Sequence, residues 1–332
     1  MKTQITVIGS GAFGLTLANV LANNNHAVKV WTHSEDTRKH PEKLKMMFNF
    51  ELPIHAGITW ETNLAEACEG AQYVLLVVAS HFIAAMAAQL KSILKPHQIL
   101  ILATKGIDDN THQSMLEIVE AQMPAAFHPN IYVLSGPNIA RDIVQKLPSV
   151  TVVAGSDKSV VAALQKIISN DYFRVYGSTD RVGVHLGGSL KNVIALAAGI
   201  SDGLGLGDNA KAALIVRGLK EICDLAMKMG AEKDSMYGLA GMGDLIVTCM
   251  SKHSRNYSVG CKLAQGVPIS EILGNMKEVA EGVRTAKSVV VLAKKHNVEI
   301  PIASAVYQVI YEEKNVRQAF YELMHRELVF EN

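Results

Sequence analysis

The segment Tyr73-Val74-Leu75-Leu76-Val77-Val78 is apolar at every position, so neither side of a strand built from it can face water. Strands of that kind are buried on both faces, which happens when helices cover a parallel sheet from both sides. Similar short runs recur at Ile5–Gly9, Ala27–Trp31, Tyr73–Ala79, Gln98–Ala103, Ile131–Leu134, Val150–Ala154 and Phe173–Tyr176. Helical patterns fall between several of them, at Phe13–Asn24, Phe82–Leu94, Gln113–Gln122 and Ser159–Ser169. Alternating strand and helix predict an α/β domain with a doubly wound, mostly parallel sheet.

After about Ser178 the strand signal stops. Leu190–Ile200, Asn209–Met229, Arg284–His296 and Ser304–Glu312 read as helices, and glycines at 199, 203, 205 and 207 predict a loop between the first two. At 332 residues the chain exceeds what one hydrophobic core usually serves. The expected organisation is an N-terminal sheet domain over residues 1–180 and an all-helical domain over 181–332.

Charge excludes several classes of partner. Lys and Arg (32) nearly balance Asp and Glu (31), and the signs are interspersed, so there is no footprint for nucleic acid or for an anionic membrane surface. The four cysteines stand far apart, without a Cys-X-X-Cys pair, which argues against a zinc site and for a reducing compartment. The apolar start is broken by Gly9, Gly11 and Gly14 and reads as strand and turn rather than as a signal peptide. No apolar run reaches the ~18 residues of a membrane span. The expected location is the cytoplasm, with no metal.

Those three glycines make the first functional signal. Gly9-Ser10-Gly11-Ala12-Phe13-Gly14 follows one strand and opens a helix, with a second strand arriving at Ala27. In that context the spacing is the dinucleotide turn of a Rossmann-type fold. Gly9 allows the tight turn, Gly11 lets a pyrophosphate approach the backbone, and Gly14 allows close packing. The helix N-terminus then offers its N–H groups to the anion. An NAD-restricted site carries an acid at the end of the second strand, where this chain has Thr32-His33-Ser34. His33 or Arg38 would attract a 2′-phosphate, so the reading is NADPH, with NADH also accepted. A merely solvated His33 is the alternative.

Ligands of doubly wound sheets bind beyond the carboxyl ends of the strands. Lys105 stands there, where it reads either as a surface lysine or as a group that reaches a carbonyl or phosphate. Lys191 lies in the apolar, glycine-rich helix start Leu186–Leu196. Burial there would bring its pKa down from ~10.4 toward the range of a proton donor. A lysine that snorkels to solvent is the equal alternative. Asp244, after Gly238, Gly241 and Gly243, would orient such a lysine, and Ser254-Arg255-Asn256 would suit a phosphate through the guanidinium fork. Taken alone, each of these two segments reads better as a solvated loop.

Together these segments resemble the bacterial NAD(P)-dependent glycerol-3-phosphate dehydrogenases. The resemblance runs in order through Gly9–Gly14, Ala103–Gly106, Ser135-Gly136-Pro137, Leu186–Asn192, Ser201-Asp202-Gly203, Gly241–Cys249, Ser254–Asn256 and Val279–Gly282. It implies reversible reduction of dihydroxyacetone phosphate to sn-glycerol 3-phosphate, for glycerophospholipid synthesis, by a homodimer that binds neither nucleic acid nor membrane. Lys191 matches the proton donor and acceptor, Asp244 the acid that positions it, and Lys105, Asn192 and Thr248 polar groups around the carbonyl. Ser254, Arg255 and Asn256 match a phosphate clamp, and Gly136 and Asn138 line the substrate pocket. Cofactor contacts are implied at Ala12, Phe13, His33, Lys105, Ala140, Arg255, Val279 and Glu281. Asn138 and Ala12 depart from the commonest residues at their positions, which are Thr or Ser and Ser.

A β-hydroxyacid or ketopantoate-type reductase is the rival within the same architecture, and Ser254-Arg255-Asn256 argues against it, because a phosphate clamp is wasted on an unphosphorylated acid. A non-catalytic dinucleotide sensor is the rival of another class. It leaves Lys105, Lys191 and Asp244 without a reason to converge.

Overall fold

The computed structural model describes all residues except 1, 47, 49, 277–279, 329 and 332. Val279, implied as a cofactor contact, lies outside the described residues. By contacts the chain divides into two compact units, residues 1–105 with 113–185, and residues 106–112 with 186–332.

The first unit holds one eight-stranded sheet of β1 (Gln4–Ile8), β2 (Ala27–Trp31), β3 (Ile58–Glu61), β4 (Tyr73–Leu76), β5 (Ile99–Leu102), β6 (Ile131–Ser135), β7 (Ser149–Ala154) and β8 (Phe173–Ser178). The order is β3-β2-β1-β4-β5-β6-β7-β8, parallel throughout except for the β6–β7 pair. From β1 the chain builds outward to β3, then returns to lay β4 on the other flank of β1. That reversal opens a crevice beyond the carboxyl ends of β1 and β4, where such sheets bind ligands. The apolar runs behave as their composition requires: every residue of β4, β5 and β6 is buried.

β3 is a strand that the sequence pattern did not announce. It has four residues, lies at the sheet edge against β2, and gains its register from that neighbour rather than from its own hydrophobic period.

The second unit is helical among its described residues. The helix Arg181–Gly203 begins before the division and continues past it, followed by Gly207–Lys228, Asp244–Met250, Arg255–Ala264, Glu281–His296, Pro301–Tyr311 and Val316–Met324. The expected glycine loop is corrected here. Gly199 and Gly203 lie inside the first helix, and only Gly205 and Gly207 take the positive φ of a turn. A Cβ on Gly199 would fall 2.0 Å from the carbonyl oxygen of Tyr257, so that glycine serves helix contact, not a bend. Residues 106–112 join this unit through the Gly106 amide on Ser189 Oγ (2.8 Å) and through Ser288 Oγ, which donates to the Asp108 carbonyl (2.9 Å).

Among the described residues no helix is long and apolar enough to cross a membrane, and no group of three or more His, Cys, Asp or Glu side chains is placed to hold a metal ion.

Candidate active site

The turn after β1 has the shape its glycines demand. Gly9 sits at φ +123°, and a Cβ there would lie 2.5 Å from the carbonyl oxygen of Val77, just past β4. A Cβ on Gly14 would lie 2.3 Å from the Gly9 carbonyl oxygen, so the helix Ala12–Asn23 can seat against the turn only with glycine there. Gly11 is different. Nothing lies within 4 Å of the Cβ it lacks, and it heads the helix without any side-chain cap. The helix's first amides therefore face a gap that a side chain would fill, with the positive end of the helix behind them. These residues fit a pyrophosphate, with Ala12 and Phe13 at the first two helical positions.

At the end of β2, Thr32 is buried and its Oγ1 takes a bond from Ser10 Oγ (3.1 Å), which ties the glycine turn to the next strand. His33 beside it is exposed. Arg38 donates to Glu35 Oε2 at 2.9 Å, and Glu35 is held below the usual carboxylate range by its bonds from Thr62 and then Arg38. Of the two cations considered for a 2′-phosphate, Arg38 is thus already paired with its own helix.

Beyond the adjacent strands β5 and β6 stand Lys105, Gly136 and Asn138. Lys105 Nζ donates to the Gly136 carbonyl at 3.2 Å. A Cβ on Gly136 would press to 2.9 Å of the Thr151 Cα, so the neighbouring strand demands glycine. Asn138 donates to the Val150 carbonyl (2.7 Å) and accepts from Thr151 Oγ1 (2.9 Å), and so braces the antiparallel β6–β7 connection. Ala140 opens the short helix that follows.

In the second unit Lys191 is 7% exposed, and its ammonium meets the carboxylate of Asp244, itself 1% exposed. Lys191 Nζ also donates to Thr248 Oγ1 at 2.7 Å. Thr248 gives its own proton to the Asp244 carbonyl at 2.6 Å, which leaves a hydroxyl lone pair for the lysine. Neither the snorkelling lysine nor the solvated loop describes this segment. The glycines form a π-helical turn over Leu239–Gly243 that runs into the helix Asp244–Met250, and Asp244 and Thr248 are one turn apart on its inner face. A buried ion pair carries a large desolvation penalty that its mutual attraction at best offsets, so one that persists in an apolar helix start points to function.

The second loop is likewise a helix. Ser254 caps it by accepting from the Tyr257 amide (3.3 Å), and Arg255 is exposed at its first position. Asn256 is buried, with its amide donating to Asn192 Oδ1 (3.0 Å) and its carbonyl accepting from the Gly282 amide (2.9 Å). Glu281 heads the helix Glu281–His296, next to that amide. This amide chain has no signature in the sequence. Two asparagines and a glycine at such separations carry no pattern, and Gly282 alone gives a hint, since a Cβ there would strike the Asn192 carbonyl at 2.6 Å. Asp202 is likewise silent in the sequence; it accepts from Tyr257 Oη (2.6 Å) and Lys211 Nζ (2.6 Å).

Comparison with known proteins bears on the whole chain. Residues 4–161 match the N-terminus of the NAD-dependent glycerol-3-phosphate dehydrogenases and residues 180–321 match their C-terminus. The chain is 45% identical over 329 residues to a Geobacter metallireducens protein named glycerol-3-phosphate dehydrogenase (NAD(P)+), with 98% of each covered. It is 43% identical over 330 residues to a Geobacter sulfurreducens protein of the same name, covering 99% of this chain and 98% of the relative. The crystal structure of glycerol-3-phosphate dehydrogenase from Coxiella burnetii is similar at a TM-score of 0.90 and 31% identity, covering 98% of this chain and 99% of that one. With its sheet domain, its helical C-terminal part and matches over nearly its full length, this chain belongs to the NAD-dependent glycerol-3-phosphate dehydrogenase family.

Proposed function

We propose that this chain interconverts dihydroxyacetone phosphate and sn-glycerol 3-phosphate, with NADPH or NADH as reductant, and supplies glycerol 3-phosphate for glycerophospholipid synthesis. The observation that carries the reading is the buried cluster of Lys191, Asp244 and Thr248, a proton held in a fixed place among apolar helices. Bound on the glycine turn, the nicotinamide dinucleotide supplies the hydride that reduces the C2 ketone.

The chain's own residues do the rest. Gly11, Ala12 and Phe13 receive the pyrophosphate, and His33 takes the ribose end, with Ala140, Arg255 and Glu281 as further cofactor contacts that the resemblance implies. Lys191 gives its proton to the ketone oxygen and takes it back in the reverse direction. Asp244 compensates the buried ammonium and Thr248 fixes its direction, so no reorganisation is needed when charge develops on the oxygen. The family resemblance adds Lys105 and Asn192 as polar groups for the carbonyl, and Gly136 and Asn138 as residues of the substrate pocket. Arg255, with Ser254 and Asn256, anchors the phosphate. That contact is remote from the reacting carbon, so its binding energy is spent on alignment.

The loss of absorbance at the reduced-nicotinamide band tests the reading, with dihydroxyacetone phosphate and each reduced cofactor in turn. Turnover with dihydroxyacetone phosphate is expected with both, faster at low concentration with NADPH. Turnover with ketopantoate or a β-keto acid instead would transfer the chain's activity to the rival class. The resemblance extends the proposal to a cytoplasmic homodimer, which light scattering on the purified protein tests.

A further inference from the structure

The helix that carries Lys191 and the helix that begins at Arg255 meet backbone to backbone. A Cβ on Gly199 would lie 2.0 Å from the carbonyl oxygen of Tyr257, and one on Gly260 would lie 2.1 Å from that of Leu196. With no side chains interlocking at these two glycines, the crossing holds the helices close without keying their register along one another. A polar contact sits beside the crossing. Tyr257, two residues past Arg255, donates its hydroxyl to Asp202 Oδ2 at 2.6 Å, and Lys211 Nζ reaches the same oxygen at 2.6 Å. Lys211 also lies over the Tyr257 ring, 5.2 Å from its centroid. The Asp202 and Lys211 side chains are 28% and 18% exposed, so the group is largely shielded.

We propose that Asp202 and Tyr257 are positioning residues that lock the Arg255 helix along the Lys191 helix and thereby set the span between proton donor and phosphate anchor. The proposal rests on the reading that Arg255 holds the phosphate. A sliding helix would carry Arg255 with it and leave Lys191 where Asp244 and Thr248 hold it. The lock therefore acts on recognition of the phosphate and not on the proton. It makes the distance from ketone to phosphate a quantity that the two helices measure. Lys211 compensates the Asp202 carboxylate, so removing the tyrosine hydroxyl leaves no charge unpaired and the fold has reason to survive.

The test compares Tyr257→Phe, Asp202→Ala, Asp202→Asn and Arg255→Ala in the full-length protein. Each is assayed with dihydroxyacetone phosphate and with phosphate-free dihydroxyacetone, and melting temperatures are recorded alongside. A displacement of the anchor by a fraction of an ångström to 1 Å is expected to raise the KM of Tyr257→Phe for the phosphorylated substrate about fivefold or more. Its kcat should stay within about twofold, and its kcat/KM for dihydroxyacetone should not change, since the proton machinery is untouched. Asp202→Asn keeps an oxygen for the tyrosine and should lie nearer the parent than Asp202→Ala. An unchanged KM in Tyr257→Phe alongside a raised one in Arg255→Ala overturns the lock. A parallel fall of kcat/KM for both substrates, with a lowered melting temperature, overturns it too, as the mark of a merely structural contact. An unchanged KM in Arg255→Ala overturns the phosphate reading and the lock together.

Discussion

Thr248 Oγ1 lies 2.7 Å from Lys191 Nζ as acceptor and donates its own proton to the carbonyl of Asp244, one helical turn back. The hydroxyl therefore has one orientation, and the lysine is aimed by it as well as by the carboxylate. Thr248→Val keeps the shape and deletes the acceptor. It is expected to lower kcat by about tenfold with little change in KM, the signature of an interaction made in the transition state. A change confined to KM would remove Thr248 from the proton machinery.

Asp244→Leu leaves the Lys191 ammonium buried without its countercharge. Removal of one partner of a buried pair costs about 3–5 kcal/mol, whereas its replacement by packed apolar residues is often neutral. The double variant Lys191→Met/Asp244→Leu is accordingly expected to melt at or above the parent temperature while showing no turnover. A double variant less stable than Asp244→Leu alone would show that the pair is kept for folding.

Two glycines of the first turn separate in the same way. Gly14→Ala must displace the Gly9 carbonyl, which its Cβ would meet at 2.3 Å, so the melting temperature should fall by several degrees. Gly11→Ala meets nothing within 4 Å. It should leave stability unchanged and raise the cofactor KM by about tenfold, because the added methyl stands where the pyrophosphate approaches. Equal stability losses in the two variants would contradict the assignment of Gly11 to the ligand.

Glu221 gives a pH dependence unrelated to catalysis. It is 7% exposed and accepts from the amides of Ile302 (2.8 Å) and Ala303 (3.1 Å) at the head of the helix Pro301–Tyr311. Burial outweighs those bonds and the weaker pull of Arg326 and Arg217, and pushes its carboxyl up from 4.5 to about 7. The folded chain thus binds the proton more tightly than the unfolded one. The associated stability is fully present below pH 4.5 and is lost as pH rises through about 7, an effect of about 3 kcal/mol at most. Glu221→Gln removes the titration. Measured against it, the parent's melting temperature should decline between pH 5 and pH 8. A difference that stays constant over that range would refute the shift.

The glycine turn and the buried sheet were legible in the sequence because they carry local chemistry. Gly9–Gly14 follows a strand and opens a helix, and the continuous apolar run at Tyr73 required a sheet covered on both faces. What was not legible depends on distant neighbours. Gly199 and Gly203 resemble turn glycines by composition, and only the approach of Tyr257, Cys261 and Ala264 makes them contact glycines. β3 owes its existence to the edge of β2, and residues 106–112 join the helical unit through Ser189 and Ser288, far along the chain. The pairing of Lys191 with Asp244 spans 53 residues, so no period in the chain announces it, and only the resemblance favoured it over a solvated loop.

Reduction of the ketone turns on one proton. Lys191→Ala should bind NADPH with an affinity within a few-fold of the parent, by quenching of its fluorescence or by calorimetry. Its turnover of dihydroxyacetone phosphate should be down by at least about a thousandfold. If the variant binds the cofactor and still turns over at a tenth of the parent rate, Lys191 is not the proton donor and the mechanism proposed here is wrong.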